Sequence, residues 1–255
     1  MYQPRRYRNL VKASDLVRFT VTVEETDLLI LATRALPIKE LEAEAHRLVR
    51  IARAQLQEHI AEHPAFLSSM VPLPLPGPDD ANAEDVVEFI AAMYDAGQQA
   101  GTGPMAAVAG AVAQFVGTGL LGSSQQIIVE NGGDIFIKSD MPRTIGIHAG
   151  SSPLSGKVGV RLPAGTYGVA TSSATVGHSF SAGKADAAMV ISGNTVLADA
   201  VATELCNRVK RPDDIQPALQ WVQQIRGVLH AAVIMDDRFG TWGQFEIVPT
   251  AEADN

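Results

Sequence analysis

Apolar and polar residues alternate over residues 16–23 (LVRFTVTV), the period of a strand with one buried face. A second strand is predicted over 28–32 (LLILA). The polar run Glu24, Glu25, Thr26 and Asp27 between them reads as a hairpin tip. The period then lengthens. Ile38, Leu41, Ala45, Leu48, Ala52, Leu56 and Ile60 recur at spacings of three and four, giving one apolar stripe on a helix over 38–61. Pro37 suits its first turn and Pro64 lies just past its end. Residues 71–78 (VPLPLPGP) cannot form a central strand, because proline lacks the ladder donor. An extended connector over about 71–80 is predicted instead.

A helix over 83–99 follows, with Val86, Phe89, Ile90, Met93 and Tyr94 facing inward. A third helix, from Pro104 to about Gly117, is almost uncharged and is expected to be buried all round. Strands are predicted at about 126–130, 134–138, 144–148, 157–162, 167–171 and 186–192, helices at 196–209 and 213–225, and final strands at 228–235 and 243–248. This order lacks the regular strand–helix alternation of a doubly wound sheet. It predicts an α+β fold with mainly antiparallel sheets and packed helices, over 1–255 as one domain or as two intertwined halves. No repeat of short period is visible.

The chain has 255 residues, of which 46% are hydrophobic, ample for a buried core. A net charge of −8 argues against a nucleic-acid surface, as does a pI near 5.2. The basic cluster of Arg5, Arg6, Arg8 and Lys12 reads as a solvated tail or as docked on an acidic patch of the fold. Cys206 is the sole cysteine, which excludes an intrachain disulfide and a thiol-rich metal site. Its apolar helical setting predicts a small buried hydrophobe. No apolar run reaches transmembrane length. The start MYQPRRYRNL lacks the apolar core of a signal peptide, so a cytoplasmic protein is expected.

Seventeen of the 22 glycines fall between Gly101 and Asn207, where only 11 of 107 residues are charged. Glycine permits close backbone approach, so this middle reads either as a pocket or as a tightly turned core. It carries four polar words: GPMAAVAG (103–110), ENGGD (130–134), TSSATVGHS (171–179) and LADAVAT (197–203). Asp199 and Thr203, four apart on a helix, share a face and could hold one hard cation such as Mg²⁺. The alternative has Asp199 favouring a helix start and Thr203 bonding back to a carbonyl. Asn131, Gly132, Gly133 and Asp134 read first as a turn, and second as an anion nest without the lysine of a phosphate loop. Thr171, Ser172 and Ser173, with His178 beyond, could suggest a nucleophile and base. Hydroxyl-rich loops more often bond their own backbone, and no G-x-S-x-G elbow is present.

Taken in order, MYQPRRYR, EETDLLI, PMAAVAGA, VENGGDIF, TSSATVGHS, GKADA, LADAVAT and FGTWG resemble the ApbE-like superfamily. The chain looks closest to the short cytoplasmic branch of uncharacterised proteins in that superfamily. The resemblance implies an α+β fold of two T-fold-like halves. It also implies a site related to that of Mg²⁺-dependent FAD:protein FMN transferases, which cut FAD and attach FMN to a target threonine. Asp199 and Thr203 would then be the metal-side residues, joined by the backbone carbonyl of Ala106. Asn131, Gly132, Gly133, Asp134, Thr171, Ser172 and Ser173 would bind the cofactor, FAD or FMN, and His178 would serve in catalysis. The pattern departs where Ala109 stands for a lysine and Gln114 for an aspartate, and where Ser181 and Ala182 stand for Asp-Pro. The resemblance therefore implies a pocket for a flavin or another small phosphorylated molecule, with FMN transfer in doubt. Alternatives are an active flavin transferase or FAD pyrophosphatase, and a non-catalytic partner-binding protein. A homodimer through sheet edges is a further implication; no nucleic-acid or membrane partner is expected.

Overall fold

The computed structural model describes residues 15–33, 37–77, 86–175 and 182–250. The opening alternation forms a hairpin as expected. β1 (Val17–Val23) and β2 (Thr26–Ala32) pair antiparallel through a two-residue tip, with Glu24 at φ 52. The continuous apolar run of β2 is buried on both faces. Leu28 and Ile30 enter one core, Leu29 and Leu31 another.

Helix α1 (Ile38–Glu62) buries the predicted stripe at Leu41, Ala45, Leu48 and Ala52. A short helix, α2 (Ala65–Ser68), carries buried Phe66 and was not foreseen. The proline-rich stretch after it is extended, and Gln98 Nε2 donates to the Leu73 carbonyl at 2.9 Å. Of the helix expected at 83–99, residues 83–85 lie outside the described residues, and α3 (Glu88–Ala100) begins only after extended Val87.

The helix expected from Pro104 is divided. A 3-10 turn (Pro104–Ala107) leads through Ala107, at φ −112 and ψ 6, into α4 (Val108–Leu120). Nor is α4 buried all round, since Thr118 and Gly119 are exposed. Its small, uncharged sequence serves close packing against its neighbours rather than encirclement. A Cβ on Gly117 would lie 2.1 Å from the Phe136 ring.

The remaining elements are β3 (Ile127–Asn131), β4 (Asp134–Ser139), β5 (Arg143–Gly146), β6 (Val158–Leu162), β7 (Gly165–Ser172), β8 (Ala187–Ser192), α5 (Thr195–Arg208), α6 (Ile215–Val222), β9 (Val228–Met235), β10 (Arg238–Gly243) and β11 (Glu246–Pro249). One eight-stranded sheet has the order β1-β2-β3-β4-β7-β8-β9-β10, antiparallel throughout. A second sheet has the order β11-β6-β5. Hairpin, helices, hairpin thus occurs twice along the large sheet, once before β5 and once after β6. The α+β class with antiparallel sheets is as expected.

The strand predicted at 243–248 is found as β11 (Glu246–Pro249), whereas β10 (Arg238–Gly243), in the other sheet, was not foreseen. Gly243, at φ 129, turns the chain from β10 toward β11, and a Cβ there would lie 2.4 Å from His230 Cα. Helices cover one face of the large sheet and the small sheet covers the other. β8 shows the resulting period of two, with Ala188 and Val190 toward the helices and Ala187, Met189 and Ile191 toward the small sheet. Among the described residues no single helix is long and apolar enough to cross a membrane.

Candidate functional site

Helix α5 is buried along its first half, from Thr195 to Ala202. Its first amides are met by side chains. Asn194 Oδ1 caps Val196 and Leu197 at 2.9 and 3.2 Å, and Gln114 Oε1 accepts the Thr195 N–H at 2.7 Å. Gln114 therefore ties α4 to the start of α5. Gly168 of β7 lets that start sit on the sheet, since a Cβ there would fall 2.3 Å from Thr195 Cα.

One turn into α5, Asp199 is 7% exposed and meets the first turn of α4, whose amides have no acceptor within their own helix. The Gly110 N–H donates to Asp199 Oδ2 at 2.8 Å, and the Ala109 amide also bonds the carboxyl. Burial pushes the Asp199 carboxyl up to about 7, against the smaller opposing pull of those two amides. No side-chain cation among the described residues compensates its charge. Gly110 is required here, because a Cβ would lie 2.5 Å from the Thr195 carbonyl oxygen and 2.8 Å from Asp199 Cβ. The expected alternative for Asp199, a carboxylate favouring a helix start, thus holds for α4 rather than for its own helix.

Thr203, on the same face of α5 as Asp199, is half-buried. Its Oγ1 lies 3.3 Å from Ser172 Oγ at the end of β7. Ala106 lies in the 3-10 turn before α4, which packs against α5. Asn131 Nδ2 donates to the Ala109 carbonyl at 3.0 Å, tying the end of β3 to α4. Gly132 and Gly133, at φ 71 and 116, make a two-residue hairpin turn between Asn131 and Asp134, the first reading of that word. The Gly133 amide donates to Glu130 Oε1 at 3.0 Å, so it is committed within the protein. A Cβ on Gly133 would lie 3.3 Å from the Thr171 carbonyl oxygen, which places the GGD and TSS words side by side at one end of the sheet. Asp134 is buried. Ser173 Oγ accepts the Thr175 amide at 3.1 Å, the local backbone bond expected of such loops.

Asp199, Thr203, Ser172, Thr171, Gly133 and Asn131 therefore gather around the junction of α4, α5 and the ends of β3 and β7. His178 lies outside the described residues. Thr175, two residues past Ser173, and its partner Asp186 were not singled out from the sequence. Thr175 Oγ1 donates to Asp186 Oδ1 at 2.9 Å. The available signal was a lone acid heading the apolar run AAMVIS. A surface cavity of about 580 Å³ lies elsewhere, along His46, Arg47 and Arg50 of α1.

The fold is that of flavin transferases. The apo flavinyl transferase ApbE of Pseudomonas stutzeri matches with a TM-score of 0.52, covering 89% of this chain and 93% of that one, at 14% identity. The ApbE protein of Thermotoga maritima matches with a TM-score of 0.54, covering 88% and 96%, at 12% identity. The sequence narrows this class, and the chain belongs to the family described as AbpE bacteria, whose pattern it matches over residues 8–240. A UPF0280 protein of Methanocaldococcus jannaschii is 35% identical over 238 residues, covering 90% of this chain and 92% of the relative. A UPF0280 protein of Methanospirillum hungatei is 44% identical over 194 residues, or 75% of each.

Proposed function

We propose that the protein binds a flavin nucleotide or related phosphorylated metabolite, together with a hard divalent cation, at the α4–α5 junction. The observation that carries this reading is the buried Asp199 carboxylate, which has two backbone amides and, among the described residues, no compensating side-chain cation beside it. A charge buried in this way is costly unless paired. Thr203 and Ser172 add hydroxyl oxygens close by, and all three are donors of the kind Mg²⁺ takes. The residues thus fit such an ion, with Asp199 and Thr203 as its holders and the Ala106 carbonyl as a third candidate. A bound Mg²⁺ would supply Lewis-acid polarisation of a phosphate. The chain's own residues would position the ligand, with hydroxyls of Thr171, Ser172 and Ser173 donating to phosphate or sugar oxygens beside the GGD turn. Likeness to flavinyl transferases supports a flavin as the ligand to test.

Isothermal titration with FAD, with and without Mg²⁺, checks the reading. The expected result is saturable binding that Mg²⁺ strengthens and that Asp199→Ala abolishes, while the variant stays folded by circular dichroism. Absence of binding by FAD, FMN and ADP in the presence of Mg²⁺ would sink it. Mass spectrometry of the same mixtures distinguishes turnover from binding, since FMN release or a flavin adduct would mark an active transferase.

A further inference from the structure

We propose that Asp186 is a positioning residue for this site, fixing the hydroxyl-bearing segment that leaves β7; the inference rests on the ligand-binding reading above. Asp186 stands one residue before β8 and is 7% exposed. A carboxylate at that depth needs donors, and two come from different parts of the chain. The Asp236 amide, in the turn after β9, donates to Oδ2 at 2.8 Å. The Thr175 hydroxyl donates to Oδ1 at 2.9 Å.

The two oxygens divide the work. Oδ2 holds the turn after β9, while Oδ1 holds the segment that leaves β7. The Thr175 amide donates to Ser173 Oγ, and the two hydroxyl oxygens lie 3.4 Å apart. The Ala174 amide donates to the Ala185 carbonyl at 3.0 Å, so the chain leaving β7 is laced to the chain entering β8. One residue back is Ser172, whose hydroxyl lies 3.3 Å from Thr203. Asp186 thus sets Thr175, Thr175 sets Ser173, and Ser173 adjoins the hydroxyl pair shared with α5. The anchor is itself held, since Ser152 Oγ donates to the Asp236 carbonyl at 2.6 Å from the β5–β6 connection.

A purely structural Asp186 would tie β8 to the β9 turn and leave the ligand indifferent to Thr175. Thr175 is exposed, so Thr175→Val removes the Oδ1 bond while sparing the turn. The test is calorimetric titration of FAD with Mg²⁺ into the full chain and its Thr175→Val, Asp186→Ala and doubly substituted variants. Each single variant is expected to bind about tenfold more weakly, the worth of one charge-assisted hydrogen bond. The double variant is expected to be no weaker than the weaker single, because both act through one contact. The melting temperature of Thr175→Val is expected to stay within about 2 °C of wild type. Unchanged affinity in Thr175→Val, or losses that add in the double variant, would overturn the inference. If Asp186→Ala does not fold, Thr175→Val and Ser173→Ala form the same cycle. Wild-type protein that ignores FAD defeats the site reading and this inference with it; wild-type binding with indifferent variants defeats this inference alone.

Discussion

At Gly110 a side chain would have nowhere to go, because the nearest atom is a backbone carbonyl oxygen that cannot swing aside. Gly110→Ala is expected to cost about 3 kcal/mol in urea denaturation, the upper range for overpacking. Gly193 is the control. A Cβ there meets nothing within 4 Å and its φ is not positive, so Gly193→Ala is expected to be neutral or stabilising by about 0.5 kcal/mol. The sequence left the glycine-rich middle open between pocket and core. At Gly110 it is close packing, since this glycine lets two helices touch and thereby brings an amide to Asp199. That Asp199 and Thr203 share a face was legible from their spacing alone. That the Asp199 carboxyl meets an amide 89 residues away was not, because helical periodicity says nothing about which neighbour a face finds. Gln114 likewise read only as a departure from a pattern, until its carbonyl was seen to hold the first amide of α5.

Helix α5 is the element on which the site depends, and its start is fixed from two sides. Asn194 belongs to the local sequence, and Asn194→Ala is expected to lower unfolding free energy by about 1 kcal/mol, as for other lost caps, measured by chemical denaturation. Elements with clear apolar periods, such as α1 and β1, were readable because burial on one face imposes a period the sequence must keep. Strand β10 was not readable, although the strand predicted at 243–248 is present as β11. The β10 sequence RFGTWG lacks the apolar alternation of a half-buried strand, and only the positive φ of Gly243 ends it and moves the chain to the other sheet. The same limit hid the break at Ala107, which divides the helix opening with Pro104.

At the scale of the whole molecule, His230 of β9 is sealed from solvent, at 1% exposure. Its Nδ1 accepts the Phe245 amide and its Nε2 faces Thr241 Oγ1 at 3.0 Å, on either side of the passage from β10 to β11. Burial depresses this histidine to about 4. The unfolded chain, near the ordinary value of 6.5, therefore binds a proton before the folded protein does, and stability falls as pH drops from 6.5 toward 4. The full loss from this group is about 3 kcal/mol. His59, buried against Tyr94, is shifted downward by burial and by neighbouring His63, so its effect has the same sign. Asp199, pushed up to about 7, acts with the opposite sign over the same range, so the histidine contribution is read by difference: from pH 7 to pH 5, urea titrations are expected to show wild type losing stability relative to His230→Gln.

The sequence by itself determined the α+β class, most helices and strands, and a set of ordered words sufficient to imply the family. It could do so because periodicity, proline and glycine act locally, and because a word keeps its residues whatever lies opposite. Only the tertiary structure decided which words meet. It set GGD beside TSS, Thr203 beside Ser172 and Asp186 beneath Thr175, because antiparallel pairing of β4, β7 and β8 brings distant segments to one end of a sheet. That pairing is fixed by two opposed cores closing on both faces at once, a condition of the whole chain and of no single stretch of it.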